Sequence, residues 1–263
     1  MNVHRLFVEG IGLWSPHLAD FAALRGVLSG AAPNPPAPRP GAAILPPNER
    51  RRAPPSVLLA VEVAQQAVTM SGRDAATMPC VFASAHGDQA TTDYMCATLA
   101  HHPLELSPTR FHNSVHNAAA GYWTIAVDCH AASTAIAAQR ASFGAGLLEA
   151  ASQSLCDAQP ILFVCSDTVG AGALREVTCC TEAFGSALVL APEPTGNTLA
   201  QIDLQLTSAR PDTPLAEPLA AWRASNPSAT ALALLALLAQ GSGSCQLAAA
   251  AALGLRIDLE RVA

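Results

Sequence analysis

The chain alternates short, continuous apolar runs with longer segments whose apolar positions return every three or four residues. Residues 6–14 are apolar and lead into Ser15-Pro16, which predicts an opening strand closed by a turn. Residues 20–28 predict a short helix ended by Gly30. Prolines crowd residues 31–55, and because proline donates to neither helix nor sheet ladders, an irregular surface excursion is expected there. The segment before it, about 30 residues, is too short to make a stable domain, so the excursion reads as an internal loop. Ser56 then reads as the cap of a helix with Leu58, Leu59, Val61, Val63, Ala64, Ala67 and Val68 on its apolar face and Gly72 at its end.

Further along, residues 80–85 predict a buried strand running into His86-Gly87-Asp88, where Gly87 permits a turn and Asp88 caps a helix over 91–99. Residues 101–111 read as loop. Residues 113–126 read as a closely packed helix of small residues around Tyr122, Trp123 and Ile125, followed by a short strand at 127–129. An Ala-rich helix is expected over 133–152, with Ala135, Ala138, Ser142 and Ala145 allowing neighbours to come close. A buried strand at 160–166 is followed by strands at 184–191 and 199–208, whose intervening Pro/Gly/Asn turn suggests a hairpin. After a Pro-rich stretch at 210–218 come an Ala/Leu helix at 229–238 and two strand candidates at 245–250 and 255–259. This alternation predicts one α/β domain with a mainly parallel sheet covered on both faces.

Composition narrows the function. Charged residues make up 13% of the chain, about half of the roughly 25% usual in soluble domains, and such a deficit points to an extensive subunit interface. The formal charge of −6 comes without a basic stripe interleaved with aromatics, which argues against nucleic acid. An anionic carrier protein would have to use the local patch Glu49-Arg50-Arg51-Arg52. The apolar stretches 229–239 and 248–253 are too short to span a bilayer, and the first ten residues lack a signal-peptide run, so a soluble cytoplasmic protein is expected. The eight cysteines lie mainly in apolar runs and read as reduced, buried thiols. No CxxC occurs, and Cys179-Cys180 has no histidine at a zinc-ligand spacing, so neither metal nor cofactor is expected.

The run Ser107-Pro108-Thr109-Arg110-Phe111-His112-Asn113-Ser114-Val115-His116-Asn117-Ala118-Ala119-Ala120-Gly121 resembles the part of β-ketoacyl synthases where a Pro and a Phe precede an Asn-x-x-Ala-Gly segment. In that family the segment opens the helix leading to the nucleophile strand. Residues 81–87 are similar to the strand ending beside the active site, 127–136 to the strand, nucleophile elbow and buried helix, and 184–191 to the strand after them. The order and spacing resemble above all the short ketosynthase-like N-terminal-domain proteins of aryl polyene clusters, which act beside a ketosynthase as chain-length factors do. The likeness covers residues 1–208 and implies a thiolase-like, condensing-enzyme fold whose second half is replaced by the tail from 209 to 263.

Against that resemblance, the chemistry is missing. Decarboxylative condensation needs a thiolate at a helix N-terminus and polar groups, commonly two histidines, to assist decarboxylation and hold an oxyanion. The alignment places Ala131 or Ala132 at the elbow, and alanine carries no acyl chain. The last histidine is His130, so the family's two downstream histidines have no counterpart. Cys129 is a displaced nucleophile candidate with His130 beside it, but adjacent strand residues point to opposite faces. Ser133 is a serine candidate without an identifiable histidine and acid, and helix capping suits it better. His112 and His116 stand four apart as on one helical face, yet no third metal ligand is evident.

The resemblance therefore implies a subunit without activity of its own. In the thiolase fold two subunits join beside the elbow, so 113–125 and 127–130 are expected at an interface with a catalytic ketosynthase. There Asn113, His116, Asn117, Tyr122, Trp123, Ala131 and Ala132 would meet the partner or wall its acyl tunnel, with an acyl carrier protein as a second visitor. The alternatives are a free-standing acyltransferase or hydrolase using Cys129 or Ser133, and a homodimeric carrier-binding scaffold.

Overall fold

In a computed structural model, residues 3–33 and 39–262 are described; of the Pro-rich excursion expected at 31–55, residues 34–38 lie outside them. The chain runs β1 (His4–Trp14), α1 (Phe21–Leu28), α2 (Pro47–Arg52), α3 (Pro55–Ser71), β2 (Cys80–Ala83), α4 (Gln89–His101), α5 (Pro108–His112), α6 (Ala118–Ala126) and β3 (Ser133–Ile136). It continues with α7 (Ser142–Asp157), β4 (Ile161–Asp167), α8 (Leu174–Thr178), β5 (Phe184–Ala191), β6 (Ala200–Ser208), α9 (Leu219–Ser225), α10 (Leu232–Gln240), β7 (Ser242–Ala250) and β8 (Leu253–Arg261).

One eight-stranded sheet holds all of these strands in the order β3-β2-β4-β5-β1-β6-β8-β7. Only β2 pairs in parallel, with β3 and β4; the other five pairings are antiparallel. The sheet is thus mixed and mostly antiparallel, which corrects the mainly parallel expectation. The hairpin expected from 184–208 is also absent: β5 and β6 both pair with β1, one on each side of it. A turn-like sequence between two apolar runs signals a reversal, and it does not say which strand lies alongside.

Helix α3 carries an apolar face at nearly every turn and covers one side of β1, β4 and β5 through Val57, Val61, Ala64 and their neighbours, while α6 packs on β2. Its cap is Pro54, and Ser56 sits inside the first turn, its hydroxyl donating to Asp88 at 2.7 Å. Gly72 ends the helix in the left-handed region, as its residue type predicts. Gly12 allows the close fit of α3 on β1: a Cβ there would fall 1.9 Å from the Val63 carbonyl oxygen. The opposite side is covered by α7, α10 and α1, with Phe143, Leu147 and Leu232 to Leu235 in the core.

Strand β1 keeps both layers in contact by changing parity. Leu6 and Val8 face the α7 side; a bulge between Val8 and Gly10 then moves Ile11 and Leu13 onto that same side. Glu9 occupies the bulge, fully buried, with both carboxylate oxygens on the Arg73 guanidinium at 2.7 and 2.9 Å and the Thr195 hydroxyl donating at 2.5 Å. Burial alone would push its carboxyl up; the bonds from Arg73 and Thr195 and the Arg73 charge outweigh this and hold it below the usual carboxylate range.

Beyond β1 the tail adds β8 and β7 to the same sheet. Segment 212–213 runs along the edge of β7: Thr213 N–H donates to the Gln246 carbonyl at 2.9 Å and Asp212 accepts from Ala248 N–H at 2.8 Å. The tail's strands are therefore continuous with the sheet.

Candidate functional site

The largest departure from the sequence reading falls where the chemistry should be. Residues 127–129 form no strand. They follow the last turn of α6, where Val127 N–H donates to the Trp123 carbonyl and Asp128 adopts a left-handed conformation with φ of 53°. The strand is β3, four residues further on, inside what reads as the start of a long helix. Thr134 and Ile136, β-branched and alternating with small residues, carry the strand signal that the surrounding alanines conceal.

This shift moves the elbow. Ala131 and Ala132 lie before the strand, and the sharp connection from β3 into α7 is built by residues 137–141. Gln139 takes the left-handed conformation there, with φ of 52°. Ser142 ties the turn: its hydroxyl accepts from Ala138 N–H at 2.9 Å and donates to the Gln139 carbonyl at 2.7 Å. Gln139 and Arg140 are exposed at the N-terminal end of α7, where a helix dipole would favour a thiolate. A carboxamide is no nucleophile, and none of the eight cysteines falls between residues 130 and 155. A polar pair interrupting an alanine run was the available signal, and periodicity alone did not reveal it.

Cys129 is 7% exposed and lies past the C-terminal end of α6, its thiol donating to the Met78 carbonyl at 3.5 Å. His130 points away to Asp128, 3.5 Å distant, and both side chains are exposed. Ser133 opens β3 beside Cys80, so it caps no helix. Burial pushes the Cys80 thiol up to about 11, against a bond from Ser133 that lowers it and with a smaller contribution from Cys129. A thiol that holds its proton at neutral pH is a poor nucleophile.

The turn after β2 is the best-tied part of the site. Asp167, buried at the end of β4, accepts from the Ser84 hydroxyl at 2.8 Å, from Ala85 and His86 N–H at 3.0 Å each, and from the Ser228 hydroxyl at 2.5 Å. Asn226, fully buried, donates to the Asp167 and Glu182 carbonyls. Residues 227–231 in turn pack on the 139–141 turn. Asp167, Asn226 and Ser228 thus join the C-terminal ends of β2 and β4 to the elbow, and no motif in the sequence marked them.

The expected interface residues separate. Helix α5 ends at His112, so His112 and His116 share no helical face, and no group of three metal-ligating side chains occurs among the described residues. His116 is exposed and its Nε2 bonds the Ser84 carbonyl oxygen at 3.1 Å. Tyr122 donates to the buried Asn113 at 3.3 Å. Trp123 is 1% exposed beneath α3, so it supports α6 from within and offers no surface to a partner. Ile125, 83% exposed, stands outward in its place. Asn117, Tyr122 and Ile125 line a groove of ≈ 480 Å³ between α6 and α2, with Leu45 and Val115 along its walls and Glu49, Arg52 and His112 at its rim.

A mixed sheet whose edge strand turns sharply into a buried helix is the arrangement of a thiolase-like, condensing-enzyme domain. The sequence profile of the β-ketoacyl synthase N-terminal domain matches residues 29–253, and the chain belongs to that family. The match extends past residue 208 through β7 to the first residue of β8, further than the motifs alone reach. Among solved structures, the ketosynthase ApeO in complex with its chain length factor ApeC from Xenorhabdus doucetiae is similar at a TM-score of 0.71 and 22% identity, over 96% of this chain and 98% of that one. A type II polyketide acyl-carrier protein in complex with its ketosynthase, AntDE:AntF, is similar at 0.65 and 14% over 79% and 70% of the two chains. A β-ketoacyl synthase from Burkholderia phymatum STM815 is similar at 0.58 and 13% over 78% and 64%. A comparison with curated protein sequences finds no match. No helix among the described residues is long and apolar enough to cross a membrane.

Proposed function

We propose that this chain is a non-catalytic, chain-length-factor-like subunit that pairs with an active β-ketoacyl synthase and walls part of its acyl tunnel, in aryl polyene or related type II polyketide or fatty-acid-like synthesis. The observation that carries this reading is the elbow between β3 and α7, which presents Gln139 where a condensing enzyme needs a thiolate. Two further features support it. β3 is an edge strand with one side open, and beside it Ile125 and Val115 expose apolar surface of the kind a subunit interface covers. The similar chains from Xenorhabdus doucetiae come from a ketosynthase and chain length factor complex.

In this reading His116, Asn117 and Tyr122 meet the partner or its acyl chain, Asn113 and Trp123 hold them from behind, and Ala131 and Ala132 let the partner come close. Arg50, Arg51 and Arg52 on α2 offer an acidic carrier protein its docking charge, and the complex works in the cytoplasm. Co-expression with a ketosynthase from the same organism followed by size-exclusion chromatography tests the pairing: a heterodimer of one copy of each supports it, and elution of this chain as a homodimer sinks it in favour of a scaffold. Intact mass after incubation with an acyl carrier protein thioester checks the chemistry. An acyl adduct at Cys129 or Ser133 would make the chain an acyltransferase or hydrolase.

A further inference from the structure

Among the described residues no cation pairs with Asp167, yet it accepts four hydrogen bonds, all from neutral donors. Three of those donors belong to the turn that follows β2, at Ser84, Ala85 and His86. Such a cradle fixes both the position and the direction of the Ser84 carbonyl, because the peptides on either side of it are held. The Ser84 hydroxyl adds to this by accepting from Gly87 N–H at 2.8 Å, which closes the turn on itself. A carbonyl oxygen can only accept, so the His116 nitrogen that meets it at 3.1 Å must be the donor. A neutral imidazole with its proton on Nε2 has a bare lone pair on Nδ1. No described protein group bonds Nδ1, and the side chain is exposed beside Val115.

We propose that Asp167, acting through the Ser84–Gly87 turn, is a positioning residue for His116, whose Nδ1 it presents as a hydrogen-bond acceptor to an N–H or O–H donor on the partner subunit. The identity of the donor's owner rests on the pairing proposed above; the tautomer does not. The partner is favoured because His116 is exposed and the Ser84 it bonds donates its own N–H to Ile136 at the end of β3, the edge strand of the sheet, where a second chain and not a buried ligand would lie.

Nitrogen-15 spectroscopy of the isolated chain tests the first half without any partner. Wild type should show His116 with a pyrrole-type Nε2, its proton slow to exchange, and a pyridine-type Nδ1. In Asp167→Asn the bound proton signal should be lost and the two nitrogens should move toward an average. Ser84→Ala, which removes one donor and keeps the carbonyl, provides a milder variant if Asp167→Asn does not fold, and should speed exchange of the same proton. An unchanged His116 pattern in a folded variant overturns the role of Asp167. Titration with the ketosynthase tests the second half. Nδ1 should move upfield as a donor engages it, and His116→Ala should weaken the complex about tenfold, the loss typical of one hydrogen bond. A complex that forms with Nδ1 unmoved overturns the acceptor role. Movement only on adding a pantetheine thioester overturns the partner as donor. If no complex forms, the pairing itself fails, while the isolated-chain result stands separately.

Discussion

Strands β2, β4 and β5 differ from β6, β8 and β7 in one respect that explains most of their sequences. Every residue of β4 and β5 is buried, because α3 covers one face of those strands and α7 the other. Ile161, Phe163 and Cys165 go to the α7 side, while Leu162 and Val164 go to the α3 side. In the outer strands only one parity is inside: Ile202 and Leu204 on β6, Leu255, Ile257 and Leu259 on β8, Cys245 and Leu247 on β7. The other parity is polar, with Gln201, Asp203, Gln205, Arg256 and Asp258. Here Arg5 pairs bidentately with Asp203 at 2.8 Å and Arg256 with Asp258 at 2.9 Å. A strand between two helical layers has no position for a charge; one with a single layer needs charges on its bare face.

Truncations in the two sets of strands test this contrast most strongly. In β4 both parities should be costly: about 4 kcal/mol for Phe163→Ala and about 3 kcal/mol for Leu162→Ala, from lost transfer energy plus the cavity left behind. In β8 only one parity should matter, at about 3 kcal/mol for Ile257→Ala and within about 0.5 kcal/mol for Asp258→Ala, an exposed pair. Urea midpoints of the four variants decide it. A mild Leu162→Ala or a severe Asp258→Ala would mean that the two regions are not covered as described.

Next in size is the link between the regions. Glu9 sits in the bulge of β1, the strand between β5 and β6, and joins the end of α3 to the turn before β6 through Arg73 and Thr195. Glu9→Gln should cost about 2 kcal/mol, below a fully buried pair because the Arg73 side chain keeps 31% of its exposure. The sign with pH follows from the folded carboxyl lying below its unfolded value of about 4.3. Its contribution is complete above that value and is lost as pH falls through the folded pKa. Wild-type midpoints should therefore drop on acidification below about pH 4, and those of Glu9→Gln should drop less in that window. Parallel curves for the two proteins would show that Glu9 is not the linking group.

The same contrast sets how much the sequence discloses. Continuous apolar runs announce β4 and β5, alternation announces β8, and the caps Asp20, Gly72 and Asp88 mark helix ends where their side chains or conformations are needed. The lack of any histidine after His130 is also legible, because an absent residue type needs no alignment. Two things are not. Strand order depends on what lies beside β1, a long-range choice that β5 and β6 cannot signal alone. The elbow sits in an Ala-rich stretch where helix and strand periodicities are both satisfied, so burial and pairing with β2 decide the matter and not propensity. The α2 and α5 turns inside expected loops are smaller errors of the same kind, each opened by a proline at its first position.

The smallest expected effect on the fold is the one that tests the open edge most sharply. Cys80 N–H donates to the Ala132 carbonyl at 3.0 Å and Ser84 N–H to the Ile136 carbonyl at 3.2 Å, so the even-numbered residues of this parallel pair turn their backbone groups toward β2. Ser133 and Ala135 consequently direct theirs outward, to the unoccupied side of the sheet. Proline at an outward-facing edge position removes a donor that the isolated chain does not use. Ala135→Pro should leave the urea midpoint of the chain nearly unchanged, within about 1 kcal/mol, yet abolish co-elution with the ketosynthase if strand pairing across β3 builds the heterodimer. Thr134→Pro, which removes a bond to β2, should instead destabilise the chain itself. Equal behaviour of the two variants would mean that β3 is not presented as an edge, and retained assembly in Ala135→Pro would move the interface away from this strand to the exposed face of α6.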